Sequence, residues 1–297
     1  MERRRFGRTE MKVSVLGFGG SEIGYENASQ STVDRLLGRA LDAGLNVIDT
    51  AECYVRSEEL IGAALGARRR QCLLFTKCGH PDGWGAGDWR PASLLASIER
   101  SLRRLRTDHV DLVQFHSCDQ GVLKRGEAIR ALETARERGL TRFIGYSGDG
   151  AAARLAVESG AFDTLQTSIS IADQEPLELT LPLARERDMG VIAKRPIANA
   201  AWTTARRPSA GAYEYEYWRR LRELDYDFLT HDDSVAIALR FTLSVPGVHT
   251  AVVGTARPGR VEQNARALAA GPLPRAQMAA IRARWGEVAD RRWVGQV

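Results

Sequence analysis

Short apolar runs recur along this chain with a regular beat. They begin at Val13 (VSVLGFGG), Asn46 (NVIDTA), Cys72 (CLLFTKC), Val110 (VDLVQFH), Thr141 (TRFIGYSG), Thr164 (TLQTSIS), Val191 (VIAKRPIA) and Thr250 (TAVVGTA). Most are continuous rather than alternating, the pattern of parallel strands covered on both faces. Segments with helical spacing lie between them. STVDRLLGRALDAG places Leu36, Leu37, Ala40 and Leu41 on one face, with a Ser or Thr cap at its start and Gly44 at its end. RPASLLASIERSLRRLR has Pro91 early in a helix and Leu94, Leu95, Ile98, Leu102 and Leu105 along one stripe. GEAIRALETARERG ends on Gly139. SVAIALRFTLSV, from Ser234, is apolar almost all round and reads as a buried helix, and RPGRVEQNARALA follows the eighth run.

Eight alternations of strand and helix imply a parallel α/β fold. Eight units in roughly 250 residues are the size of a (β/α)8 TIM barrel, with its site at the C-terminal face. A doubly wound sheet is the rival, and its dinucleotide fingerprint should follow the first strand. GFGGSEIG supplies Gly17 and Gly19 but has Glu22 where the third glycine belongs. GYSGD approaches a nucleophile elbow, yet Asp149 replaces its last glycine. No linker interrupts the chain, so residues 1–297 read as one barrel domain. An irregular insertion at about 199–230 follows the seventh strand and carries Trp202, Tyr213, Tyr215, Tyr217 and Trp218. It can cover the barrel mouth, or dock a helix (EYEYWRRLREL) on the wall. A terminal helix is expected over about 274–292.

Charge changes this picture little. The 42 basic and 37 acidic residues leave a formal +5, spread along the chain. A nucleic-acid footprint would need a clustered basic patch with interleaved aromatics. The densest run, ARRRQ from Ala67, falls at a helix end, where cations are favoured. A mild positive balance suits a phosphate-bearing ligand. Cys53, Cys72, Cys78 and Cys118 have neither C-x-x-C nor zinc spacing, and His80, His109, His231 and His249 form no ligand pattern, so no metal is read. MERRRFGRTEMKV has no apolar core behind its arginines and no apolar run reaches membrane-spanning length. A reducing cytoplasm is the expected compartment, with no membrane or nucleic-acid partner.

The candidate chemistry stands at the strand ends. The second run ends on Asp49, with Tyr54 on the loop beyond it. The third ends on Lys77 and the fourth on His116. One carboxylate at a strand end is ordinarily a turn residue or a helix cap. Three polar ends on successive strands converge on one mouth, where barrel chemistry belongs. A free phenol has a pKa of roughly 10. A lysine ammonium about 4 Å away contributes on the order of 4 kcal/mol at an effective dielectric of about 20. That would bring Tyr54 about three units down, close to neutrality, where general acids work best. Asp49 serves as the counterion of Lys77, and His116 can orient a carbonyl and steady its oxygen. This is machinery for protonating an oxygen while a nucleophile attacks its carbon. These residues do not by themselves identify the nucleophile.

DTAECYVRSEELIGAAL and SIERSLRRLRTDHVDLVQFH resemble motifs of the aldo-keto reductases, and the likeness runs over nearly the full length. Asp49, Tyr54, Lys77 and His116 match that family's tetrad one for one. The resemblance implies Tyr54 as proton donor, Lys77 and Asp49 as its tuning pair, and His116 as the substrate-orienting residue. It also implies a nicotinamide cofactor bound without a Rossmann domain, near Gly19, Gly20, Ser21 and Asp49. Ser147 and Gln166 stand where the family holds the carboxamide, but Gly148 replaces the usual Asn and Asp149 follows it. In AKRPIANAAW, Lys194 and Arg195 replace an aromatic stacker and a serine, ahead of Pro196. Such a cationic pair can contact the pyrophosphate or a substrate anion, or point elsewhere. VGTARPGRVEQNARAL resembles the adenosine clamp. Arg260 takes the place of the reader of the 2′-phosphate, Gln263 that of a common Glu, and Asn264 matches. Gly254 replaces a lysine and Thr255 a serine. NADPH is the favoured cofactor, with NADH as the alternative.

The expected reaction is reduction of a small-molecule aldehyde or ketone. The same chemistry run as an alcohol or sugar oxidation is one alternative. A non-catalytic nicotinamide-sensing protein, like the potassium-channel β-subunits of this fold, is the other. Trp84, Trp89 and Trp202 are candidates for the walls of the substrate pocket. Cys53 and Cys118 can be packing residues or redox-sensitive thiols.

Overall fold

The computed structural model describes residues 1–85 and 87–296. Ten strands are named in chain order: β1 (Arg3–Arg5), β2 (Lys12–Ser14), β3 (Leu16–Gly19), β4 (Val47–Asp49), β5 (Leu73–Cys78), β6 (Val110–His116), β7 (Thr141–Ser147), β8 (Thr164–Ser168), β9 (Gly190–Lys194) and β10 (Thr250–Gly254). The last eight close a parallel barrel in the order β10-β3-β4-β5-β6-β7-β8-β9. The helices lie outside it, as the alternation of runs and helical segments implied.

The apolar runs are continuous because each barrel strand has two apolar neighbours. Ile48, Leu74, Val113, Ile144, Leu165 and Val191 face the helix layer. Val47, Phe75, Leu112, Ile192 and Val252 fill the barrel interior. That interior is plugged from below by Phe6, Met11 and Val13. Here the sequence reading needs correction: the first run is two elements. Val13 belongs to β2, which pairs antiparallel with β1, and only Leu16–Gly19 enters the barrel. Ser14 makes the break, its hydroxyl donating to the Leu16 carbonyl at 2.7 Å while its amide donates to Asn46 Oδ1 at 2.6 Å. An alternating hairpin followed at once by a continuous strand leaves no gap in the hydropathy pattern. Gly7 is obligatory beneath the plug. Its φ is +53°, and a Cβ there would lie 2.4 Å from the Gly190 amide.

The helix expected after the first strand runs Gln30–Asp42, and its cap is Ser29, whose hydroxyl accepts from the Thr32 amide. The cap therefore lies ahead of the Ser and Thr that open the expected segment. The helix Pro91–Leu105 buries Leu94, Ile98, Leu102 and Leu105 as its stripe predicts. The segment after β9 holds a helix and, ahead of it, a tyrosine bonded to Arg195. The helix Tyr215–Leu224 buries Tyr217, Leu221 and Leu224 against the wall. Ahead of it, Tyr213 reaches the mouth and accepts from Arg195. The last helix, Arg275–Val288, is followed by a tail whose Val294 carbonyl accepts from Arg220 at 2.8 Å. Among the described residues, no helix is long and apolar enough to cross a membrane.

Candidate active site

Strand register brings the polar ends together. Gly19 lies beside Asp49, Asp49 beside Phe75, and Lys77 beside Gln114. His116 lies beside Ser147, Ser147 beside Gln166, and Ser168 beside Lys194. The ends of β4 to β9 therefore form one arc at the C-terminal mouth. Tyr54 hangs over this arc from a loop pinned at both ends. Buried Glu52 accepts from Ser97 and Arg100, and buried Glu58 accepts from Thr76 at 2.6 Å and Arg104 at 3.4 Å. Val55, next to the phenol, has φ +52°, a costly conformation for a β-branched residue. The surrounding anchors hold that strain.

Lys77 is 2% exposed. Its ammonium donates to Asp49 Oδ2 at 2.6 Å and to the Thr50 carbonyl at 2.8 Å, and lies 5.2 Å from the Tyr54 ring centre. Tyr54 meets His116 edge to face at 5.6 Å. Burial lowers His116 well below the usual histidine range, and Lys77 and Lys194 push it the same way. His116 is therefore a neutral imidazole, able to donate a hydrogen bond but not to act as a cation.

The expected lowering of the Tyr54 pKa does not occur. Burial raises it well above 10, and the Asp49 charge adds to the rise. Geometry gives the reason. Lys77 is paired with Asp49, so the charge that reaches the phenol offsets only part of the cost of burying a phenolate. Tyr54 thus keeps its proton throughout the physiological range. The lysine acts when that proton leaves, because a forming phenolate meets a cation already held in place.

Gln166 lies beneath the tetrad. Its Nε2 donates to Asp49 Oδ2 at 3.2 Å, and its Oε1 accepts from Gln114 Nε2 at 2.8 Å. Gln114 was missed from sequence, although a glutamine inside the apolar run VDLVQFH was a visible signal. Ser147 Oγ and Asp49 Oδ1 are buried without a partner among the described residues. An orphaned hydroxyl and an orphaned carboxylate oxygen at one mouth suit an amide-bearing ligand.

The departures Gly148, Asp149, Lys194 and Arg195 explain one another. Tyr146 fills the space of a side chain at 148, where a Cβ would lie 2.7 Å from its hydroxyl. That hydroxyl is in turn held by the Cys118 carbonyl at 2.8 Å. Asp149 is fully buried and accepts from Thr167 Oγ1 at 2.8 Å and from the Ser168 amide at 2.7 Å. Lys194 Nζ lies 2.9 Å and Arg195 3.8 Å from its Oδ2. Burial alone would raise the Asp149 carboxyl, but Lys194 and Arg195 outweigh it and hold it below the usual range. Lys194 is pushed down to about 8 by burial, against the pull of Asp149. Arg195 also donates to Ser168 Oγ at 2.8 Å and to the Gln296 carbonyl, tying the tail to the mouth. Two cations face one carboxylate, so a positive charge remains.

The other candidates spread along the same face. Arg260 and Gln263 are exposed on the first turns of the helix Gly259–Ala267, joined at 3.2 Å, with Asn264 buried beneath them. Gly254 has a local cause: a Cβ there would lie 1.5 Å from Glu22 Oε2. The Glu22 carboxyl, raised by burial, accepts from Ser21 at 2.6 Å and occupies the place of a side chain at 254. Gly20 is equally confined, a Cβ meeting Ser57 Oγ at 2.7 Å. Thr255 Oγ1 accepts from the Arg257 amide at 3.0 Å. Pro196 is buried, its carbonyl taken by Thr242 at 2.8 Å. The three tryptophans separate. Trp84 lies 4.9 Å from His116 and 4.8 Å from His80. Trp89 packs into the groove at Gly79 and against Phe115, as wall structure. Trp202 turns away to donate to Ser234 Oγ at 3.1 Å. Of the three, Trp84 alone meets a tetrad ring, edge to face, among the described residues. The thiols of Cys53 and Cys118 are both buried and pushed up to about 12, chiefly by burial, which keeps them protonated and opposes the redox reading.

Comparison with known proteins adds identity to this geometry. A profile described as the Aldo/keto reductase family matches residues 15–285. The chain is 29% identical to L-galactose dehydrogenase of Arabidopsis thaliana, over 90% of this chain and 88% of that protein. It is 26% identical to an uncharacterized oxidoreductase of Bacillus subtilis, over 95% of each. The solved holo form of an aldo-keto reductase from Bacillus halodurans superposes with a TM-score of 0.84, at 27% identity and 99% coverage of both chains.

Proposed function

This chain belongs to the aldo/keto reductase family of NAD(P)H-dependent oxidoreductases, and on that premise we propose that it reduces an aldehyde or ketone to an alcohol with Tyr54 as the proton donor. The observation that carries the reading is the closed arrangement of Asp49, Lys77, Tyr54 and His116 at one barrel mouth. A nicotinamide held at this mouth would supply the hydride that the carbonyl carbon takes up. His116 offers a neutral N–H to the carbonyl oxygen, and Tyr54 gives that oxygen its proton. The Lys77–Asp49 pair stabilises the phenolate left behind. Ser147 Oγ and Asp49 Oδ1 are free to hold the carboxamide, with Gln166 supporting Asp49 from below. Gly19, Gly20 and Ser21, at the end of β3, border it. Lys194 and Arg195 give the mouth a residual positive charge suited to the cofactor's phosphates. Thr255, Arg260, Gln263 and Asn264 form the adenosine end, and Arg260 selects NADPH.

That last assignment is tested by titrating intrinsic tryptophan fluorescence with NADPH and NADH. Arg260→Ala is expected to weaken NADPH about tenfold or more, the worth of one charge-assisted phosphate contact, and NADH by less than about twofold. Equal loss for both cofactors would remove Arg260 from the role of phosphate reader.

The titration directions give a second test. Tyr54 donates while protonated, and its pKa is raised, so the donor is lost only above pH 10. His116 acts while neutral, and its pKa is lowered, so protonation intrudes only well below 6.5. Turnover at saturating NADPH is therefore expected to be flat from about pH 6 to 9. An alkaline fall centred near neutrality that persists in Lys194→Met, whose lysine is pushed down to about 8, would mean that Lys77 lowers the phenol after all.

A further inference from the structure

Cys53 stands between the loop anchor Glu52 and Tyr54, and the chemistry above gives it no part. Its Sγ lies 3.3 Å from His116 Nδ1, and the residue is 5% exposed. Among the described residues, nothing else reaches that nitrogen, and His116 Nε2 has no protein partner. The backbone of the histidine is fixed separately, because its carbonyl is 2.7 Å from His80 Nε2. A neutral imidazole has one N–H and one lone pair, and its partner decides which nitrogen carries the hydrogen. The partner here is a protonated thiol. Sulfur is a weak acceptor, whereas an imidazole lone pair readily accepts even from a weak S–H donor.

We propose that Cys53 is a positioning residue: its S–H donates to His116 Nδ1 and holds the ring in the tautomer that carries its hydrogen on Nε2. Only that tautomer can donate to a carbonyl oxygen. The opposite tautomer would turn a lone pair on the oxygen and repel it. The kinetic consequence rests on the reductase reading, but the tautomer itself does not.

The test uses the full-length protein with 15N-labelled histidine. Long-range proton–nitrogen spectra near neutral pH distinguish the two nitrogens of His116. Wild type and Cys53→Ser are expected to show Nε2–H with an unprotonated Nδ1, since a hydroxyl also donates. Cys53→Ala should give both nitrogens averaged shifts, because no donor then selects between the tautomers. Its kcat should fall about twofold, because roughly half of the rings then carry the hydrogen on Nε2, with NADPH affinity unchanged and Cys53→Ser equal to wild type. Nδ1–H in the wild type would overturn the proposal. So would an unchanged tautomer in Cys53→Ala, or a changed tautomer with unchanged kcat. Should the wild type show the Nε2–H form and yet reduce no carbonyl, the reductase reading fails while the tautomer assignment stands.

Discussion

Replacing Tyr54 by Phe is expected to lower kcat/KM for carbonyl reduction by about a thousandfold, within the range that a positioned general acid contributes. The substitution removes one oxygen and little volume. The ring still packs on His116 and over Lys77, so the fold and the cofactor site should persist. NADPH affinity, read by tryptophan fluorescence, should stay within about twofold. The effect should be large because no other group can replace the phenol. His116 is neutral, so its N–H is a poor acid. Lys77 is enclosed by Asp49 and the Thr50 carbonyl. Full turnover in Tyr54→Phe would exclude it as the donor.

The second large effect concerns stability. Asp149→Ala would leave Lys194 and Arg195 facing each other at the mouth without their shared carboxylate. Breaking a buried pair from one side typically costs about 3–5 kcal/mol, because the surviving charge is stranded. For a chain of this size, that corresponds to a fall in Tm on the order of 10 °C. The loss should include the anchors that Asp149 gives Thr167 and Ser168. Adding Lys194→Met to Asp149→Ala removes one stranded cation and should recover part of the loss, as a double-mutant cycle would register. A Tm within about 2 °C of wild type for Asp149→Ala would show that water screens this cluster, and that its charges are not coupled as the distances imply.

Sequence and structure agree where the signal is local. The tetrad could be read because Asp49, Lys77 and His116 each interrupt an apolar run at its end, and an (β/α)8 barrel turns three such ends toward one mouth. The barrel itself followed from the continuity of those runs. Pairings that depend on register could not be read. Asp149 and Lys194 are distant in sequence, and meet because Ser147 pairs with Gln166 and Ser168 with Lys194. Gly148 and Gly254 look like losses from a motif, yet each is the space that Tyr146 or Glu22 occupies. The Tyr54 pKa departs from the sequence expectation for a related reason. Burial raises the phenol, and a lysine lowers a neighbour's pKa only with the charge left after its counterion; the 2.6 Å contact to Asp49 leaves too little to offset burial. Val13 reads as part of the barrel strand because hydropathy does not register the break at Ser14.

The central claim is hydride transfer to a carbonyl carbon at this mouth. The most direct measurement mixes the protein with NADPH deuterated at the transferring C4 position and with 4-nitrobenzaldehyde, then examines the alcohol by mass spectrometry and NMR. One deuterium on the former carbonyl carbon, lost in Tyr54→Phe, is the expected result. Tight NADPH binding with no deuterated alcohol, from this aldehyde or from a panel of aliphatic and sugar aldehydes, would contradict the claim and leave a protein that holds the cofactor without using it.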